Sequence, residues 1–219
     1  MKGLLIKDFY LLANQKQMIF LLPIMFLLFA FVMDNPIFMI NYLTIFIGLF
    51  SMSTISYDEF DNGYPYLFSL PVDAGIYVKE KYLFSTMLVV MVNLLSVGGT
   101  YLIGLINSST YTASEILVTG GISILLALVF LSFGLSIQLK FGAEKGRLAL
   151  LLVFLVLFAA VYLTVRFLLN EMQLSMTEFL GAVEEWSSAL LVIGGIAIGI
   201  VFFTLSFFIS LKIMGNKEF

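Results

Sequence analysis

The sequence contains no cysteine and no histidine. Without thiols there is no disulfide framework, thiolate metal site or catalytic cysteine, and without imidazole the commonest general base and metal ligand is gone. Charge is the next scarcity. Charged residues make up 11% of the 219, against about 25% in an ordinary globular chain, too few to cover a water-soluble surface without large apolar patches. Lys and Arg are outnumbered, 11 against 14 acids for a net charge of −3, which argues against nucleic acid as a partner because phosphate neutralisation needs clustered cations. No phosphate-cradling glycine loop with its lysine, nucleophile elbow or metal-ligand cluster is present either. The chain is therefore not expected to be an enzyme, to hold a metal or cofactor, or to hydrolyse ATP by itself.

Apolar residues are abundant, at 61% of the chain with a mean hydropathy of +1.09. A hydrocarbon core of about 30 Å is crossed by roughly 20 apolar residues of helix. Six runs answer to that length, about 18–33, 37–57, 83–106, 116–139, 148–169 and 188–211, with Arg166 the only charge inside them. The fold expected is an all-α membrane protein, one domain over 1–219. Residues 1–17 mix Lys2, Lys7, Asp8 and Lys16 with apolar residues and read as an amphipathic interfacial helix. A cleavable signal peptide fits less well, because no small-residue cleavage site follows and the helix count would become odd.

Cations fall on alternate connections, as the positive-inside rule requires of a cytoplasmic side. Lys2, Lys7, Lys16, Lys79, Lys81, Lys140, Lys145, Arg147, Lys212 and Lys217 all lie on one side, so both termini are expected in the cytoplasm. On the other side, the segment 170–187 has Ser175 and Glu178 at capping-box spacing and Met176, Phe179, Leu180, Val183 and Trp186 at helical period. It reads as a short helix lying at the outer interface.

The spans contain no Asp or Glu, unlike those of most gradient-driven transporters. Energy is therefore expected from a partner on the cytoplasmic side, and the connection 58–82 is the candidate docking segment. Tyr64, Tyr66, Leu67, Phe68 and Leu70 form an aromatic and apolar cluster there, of the kind enriched at protein interfaces. Residence in the headgroup belt, which Tyr favours, is the alternative.

From Ser56 to Ser85 the chain runs SYDEFDNGYPYLFSLPVDAGIYVKEKYLFS. This resembles permease subunits of the type 2 family of ABC exporters. In these, the second span ends in an acidic stretch with a glycine (here Asp58, Glu59, Asp61 and Gly63), followed by a short helix, a Leu-Pro-Val element at Leu70, Pro71 and Val72, and a Lys-Tyr-Leu entry to the third span at Lys81, Tyr82 and Leu83. The opening MKGLLIKDFYLL is similar to the family's connecting helix. Asp73, Ala74 and Gly75 depart from the basic residues common after the Leu-Pro-Val element, and Phe60 interrupts the acids.

The resemblance implies a type V exporter in a bacterial plasma membrane. Two permease copies or paralogues sit side by side, each on a separate ABC ATP-binding subunit that holds ATP and Mg, with the short helix as coupling helix. Glu59, Gly63, Tyr64, Tyr66, Leu67, Phe68, Leu70 and Pro71 would then form the ATPase-coupling set. Some small relatives export peptide toxins, including phenol-soluble modulins, so an amphipathic peptide is the first expectation for cargo. In this family the second and fifth spans usually face the pathway, making Asn41, Thr44, Ser51, Thr54, Tyr162, Thr164 and Arg166 pathway candidates. The bland alternatives are hydroxyls bonded to their own helices and, for Arg166, a side chain reaching to the interface. A membrane anchor or immunity protein that binds a partner or peptide without transport is the rival reading, with an intramembrane enzyme a third.

Overall fold

The computed structural model describes residues 1–16, 20–21, 23–25, 28, 36–60, 63–107, 111–172 and 188–217. Regular structure among them is entirely helical: α1 (Lys2–Asn14), α2 (Pro36–Ser51), α3 (Ser53–Glu59), α4 (Gly63–Ser69), α5 (Ala74–Asn107), α6 (Ala113–Met172) and α7 (Ser188–Gly215). A bilayer leaves helices as the economical way to satisfy backbone groups within one segment. Five stretches of the described residues are long and apolar enough to cross it: Ile37–Glu59, Ala74–Leu105, Ala113–Gly142, Leu148–Phe167 and Ile193–Gly215. Most of the expected first span, 18–33, lies outside the described residues; where it is described, Phe20, Leu21, Ile24 and Leu28 are helical and exposed. Of the expected outer segment 170–187, residues 170–172 continue α6 and the rest lies outside the described residues.

Three local features shape the bundle. The second span is interrupted at Met52, between α2 and α3, where side-chain hydroxyls take up carbonyl groups: Ser51 Oγ donates to Gly48 O at 2.7 Å and Thr54 Oγ1 to Ser51 O at 2.9 Å. The third span's helix starts at Ala74 rather than near Leu83, because Lys79, Glu80 and Lys81 fold into its early turns. Inside α6, Gly142 has φ 78° and ψ −179°, a backbone region that glycine enters without steric cost. There the fourth span turns into the fifth, and Gly146 comes back against Gln138.

α2 packs on α5 and α6, while α7 packs on α6 and α5. The core between them holds Ile47, Phe84, Val89, Leu131 and Leu135. Polar side chains tie the helices at several points, as is common where lipid offers no hydrophobic drive for association. Asn93 Nδ2 on α5 lies 3.1 Å from Thr44 Oγ1 on α2 and 2.6 Å from Ser123 Oγ on α6. Tyr82 OH on α5 lies 2.6 Å from Ser206 Oγ and 2.8 Å from Ser210 Oγ on α7, and Ser136 of α6 joins them. Close approach uses Gly120, where an added Cβ would sit 2.8 Å from Val97, and Gly195 against Leu125, whereas Gly98 and Gly194 face open space. None of the described side chains in the apolar window of Leu148–Phe167 is buried.

Candidate functional site

The site begins in α1. Its buried residues are Leu4, Asp8 and Leu12, a period of four that aligns them on one helical face. Ile6 and Tyr10 are left exposed, while Phe9 meets Phe84 edge-on at 5.1 Å. An acid thus occupies the buried seam of α1 while apolar residues face outward.

Asp8 is there because Lys81 is there. The Lys81 ammonium, fully buried on α5, is paired with Asp8 of α1 and with Asp58 of α3 at 2.7 Å, and donates to Thr54 Oγ1 at 3.1 Å. Asp58 also accepts from Lys7 of α1 and from Tyr77 OH at 3.0 Å. A charge taken from water costs several kcal/mol, of order, unless it is paired and hydrogen-bonded. These partners offset that cost and join α1, α3 and α5 at one point. Glu80 is equally buried, 3.8 Å from Lys81 Nζ, and its carboxylate oxygens have no hydrogen-bond partner among the described residues. Three carboxylates therefore face two ammonium groups.

α4 is mounted directly on this cluster. Gly63 starts it so close to the end of α3 that an added Cβ would lie 2.5 Å from Asp58 O. Tyr64 and Leu67, three residues apart, are buried, with Tyr64 edge-on to Tyr77 at 6.0 Å. Phe68 is partly buried, 6.1 Å from the Tyr64 ring and 5.8 Å from Tyr77. Burial pushes the Tyr64 phenol above its ordinary pKa, so a neutral ring faces Lys217 Nζ at 5.2 Å. Lys217 also donates to Leu139 O at 3.2 Å, bringing the far end of α7 to the same place.

The opposite face of α4 is uncovered: Tyr66 is 75% exposed, Leu70 46%, and Pro71 is exposed. The chain then turns tightly about Pro71, with Val72 N donating to Leu70 O at 2.6 Å. Glu59 is partly buried, its carboxylate against the backbone of Gly142, so the turn between the fourth and fifth spans abuts the end of α3. The eight coupling candidates thus divide. Gly63, Tyr64, Leu67 and Phe68 face the protein, Glu59 meets the Gly142 turn, and Tyr66, Leu70 and Pro71 face outward.

The pathway candidates are not brought together. Thr44 and Ser51 are buried and donate to carbonyls of α2, Thr54 of α3 is buried and donates across the break to Ser51 O, and an Asn41 side-chain oxygen is buried without a partner among the described residues. Tyr162, Thr164 and Arg166 are exposed on the fifth span, and Thr164 donates to Ala160 O. A cavity of about 540 Å³ does open between the second, fourth and fifth spans. Met52, Ser53, Ser56, Gln138, Leu150 and Phe154 are on its wall, and Gln138 Nε2 donates to Ser56 Oγ at 2.8 Å. None of the seven pathway candidates lines it.

Sequence reasoning missed Lys7, Asp8, Tyr77, Glu80, Gly142 and Lys217 as site residues and treated Lys81 as a loop cation and span entry. The spacing of Leu4, Asp8 and Leu12 was the one available signal, since it places the acid in the apolar seam.

A helical bundle with several spans of apolar residues defines a multi-pass membrane protein. The chain belongs to the ABC-2 family of transporter proteins, whose family model it matches over residues 3–215. It is thus the membrane component, the permease, of an ABC transporter and not the catalytic one, and the family implies an ABC ATP-binding partner and a lipid bilayer. No curated protein and no solved structure matches the chain.

Proposed function

We propose that this permease works in an ATP-driven exporter, with α4 as the coupling helix that receives the stroke of a separate ATP-binding subunit. The observation that carries this is the two-faced mounting of α4: Tyr64 and Leu67 buried against the ionic cluster, Tyr66 and Leu70 exposed on the other side. A push on the outer face reaches α1, α3 and α5 together through Asp8, Asp58, Tyr77 and Lys81. ATP and Mg belong to the partner, and a second permease copy or paralogue completes the assembly. The cation-bearing side, with both termini, faces the cytoplasm of a bacterial plasma membrane. The cargo is hydrophobic or amphipathic, first of all an amphipathic peptide, and it leaves the cytoplasm. The cavity beside Ser53, Ser56 and Gln138 offers apolar walls with a few hydrogen-bonding groups, which suits such a molecule.

The test is reconstitution with the ATP-binding subunit in proteoliposomes. Tyr66→Ala and Leu70→Asp are expected to abolish cargo-dependent ATP hydrolysis while the permease stays folded in the membrane. Unchanged transport in both variants overturns the coupling assignment. Failure of any ATP-binding subunit to co-purify with the wild-type chain favours the anchor reading.

A further inference from the structure

A second concavity, of about 630 Å³, lies between α5 and α7 on the cation-bearing side. Lys79, Leu83 and Met87 line it from α5, spaced by four and so on one helical face, and Phe203, Thr204 and Phe207 line it from α7. Tyr82 lies between the walls and is held from several directions. Its hydroxyl is bonded to Ser206 and Ser210, and Phe203 and Phe207 stand at steep angles to its ring at 5.1 and 5.3 Å. Tyr82 is therefore a fixed part of the groove.

Its charge is one-sided. Lys79 is the only charged side chain on the lining and is exposed, with no ion pair to a carboxylate among the described residues. Lys81, two positions on, is by contrast fully buried between two aspartates. Lys79 and Met87 are eight residues apart, about 12 Å along a helix axis. With the ammonium at headgroup level, the apolar walls reach hydrocarbon depth.

We propose that this groove is a binding site for one anionic phospholipid of the leaflet on the cation-bearing side. Its phosphate pairs with the Lys79 ammonium, and one acyl chain lies along Leu83, Met87, Phe203 and Phe207. Charge complementarity selects this occupant. The apolar walls would hold an acyl chain of any lipid, whereas the exposed Lys79 ammonium, with the Met1 α-ammonium also on the lining, favours a net negative headgroup.

The experiment is native mass spectrometry of the full chain released from nanodiscs containing equal phosphatidylglycerol and phosphatidylcholine with identical chains. One retained phosphatidylglycerol is expected in about fivefold excess over phosphatidylcholine, the preference one lysine near the surface gives. Lys79→Gln is expected to cut that excess severalfold, leaving only what the Met1 α-ammonium sustains. Thr204→Trp, with Leu83→Trp as a second plug should the first fail to fold, is expected to lose the retained lipid altogether. Lys145→Gln, which removes another exposed cation on that side, is expected to change nothing. Equal retention by the parent chain, or a preference undiminished in Lys79→Gln, overturns the proposal. So does displacement of the retained lipid by excess glycerol phosphate, which would mark a phosphate site indifferent to acyl chains.

Discussion

At Lys81 a side chain that usually reaches for water is wholly enclosed, and it tolerates that place only through Asp8 and Asp58. Lys81→Met removes the ammonium and leaves both carboxylates buried with Lys7 as their remaining cation. Breaking such a pair costs about 3–5 kcal/mol, so the thermal unfolding midpoint in detergent is expected to fall sharply. Adding Asp8→Asn to Lys81→Met is expected to recover part of the loss, since one stranded charge disappears with it. A single variant that melts like the parent chain would mean that the pair contributes nothing. Gly142 makes a different kind of demand. An alanine there meets both the left-handed φ of 78° and the Glu59 carboxylate. Backbone strain alone in this glycine-only region is about 1–3 kcal/mol, and Glu59→Ala should relieve only the clash. Partial recovery of the melting point in Gly142→Ala/Glu59→Ala measures the split between the two terms.

α4 separates docking from folding within seven residues. Leu67→Ala opens a cavity under the helix, and buried Leu→Ala changes cost about 2–5 kcal/mol. Tyr66→Ala touches nothing in the core, and surface changes stay within about 0.5 kcal/mol. Measured together, Leu67→Ala should lower the melting point, whereas Tyr66→Ala should leave it in place while ATPase coupling is lost. Asn93, which ties α2, α5 and α6, illustrates a smaller effect. In Asn93→Leu, Thr44 still donates to Ile40 O and Ser123 to Gly120 O, so no hydroxyl is orphaned. The expected cost is therefore about 0.6 kcal/mol, the average for polar ties between membrane helices. A loss several times larger in chemical unfolding would assign Asn93 a further role.

These elements differ in how far the sequence announces them. Spans two to six are legible because bilayer thickness imposes a length on apolar runs, whereas the short helix is expected only from the family resemblance. The ion cluster is not, because Asp8 and Lys81 stand 73 positions apart and each alone looks like an ordinary interfacial charge. The break at Gly142 is hidden in the same way, since glycines also serve helix packing and φ is not written in composition. For the pathway, span membership was readable but facing was not: Thr44, Ser51 and Thr54 turn into their own bundle.

For the whole molecule, orientation is the first quantity to measure, and the absence of cysteine makes that direct. Single cysteines replacing Lys145 and Ser114, both exposed and at opposite ends of the bundle, should differ in intact cells. A membrane-impermeant maleimide is expected to label Ser114→Cys at once and Lys145→Cys only after lysis. The reverse pattern would place α4 outside the cell, beyond any ATP-driven partner.

Lys217 rests on the Tyr64 ring and caps Leu139 O, while Lys7 and Asp8 grip the same region from the other end of the chain. Purification handles and fluorescent reporters grafted just beyond either point would pull on the very parts whose motion they are meant to follow. An epitope spliced into the connection near Tyr111 and Thr112 gives a quieter vantage, because it leaves both anchors undisturbed.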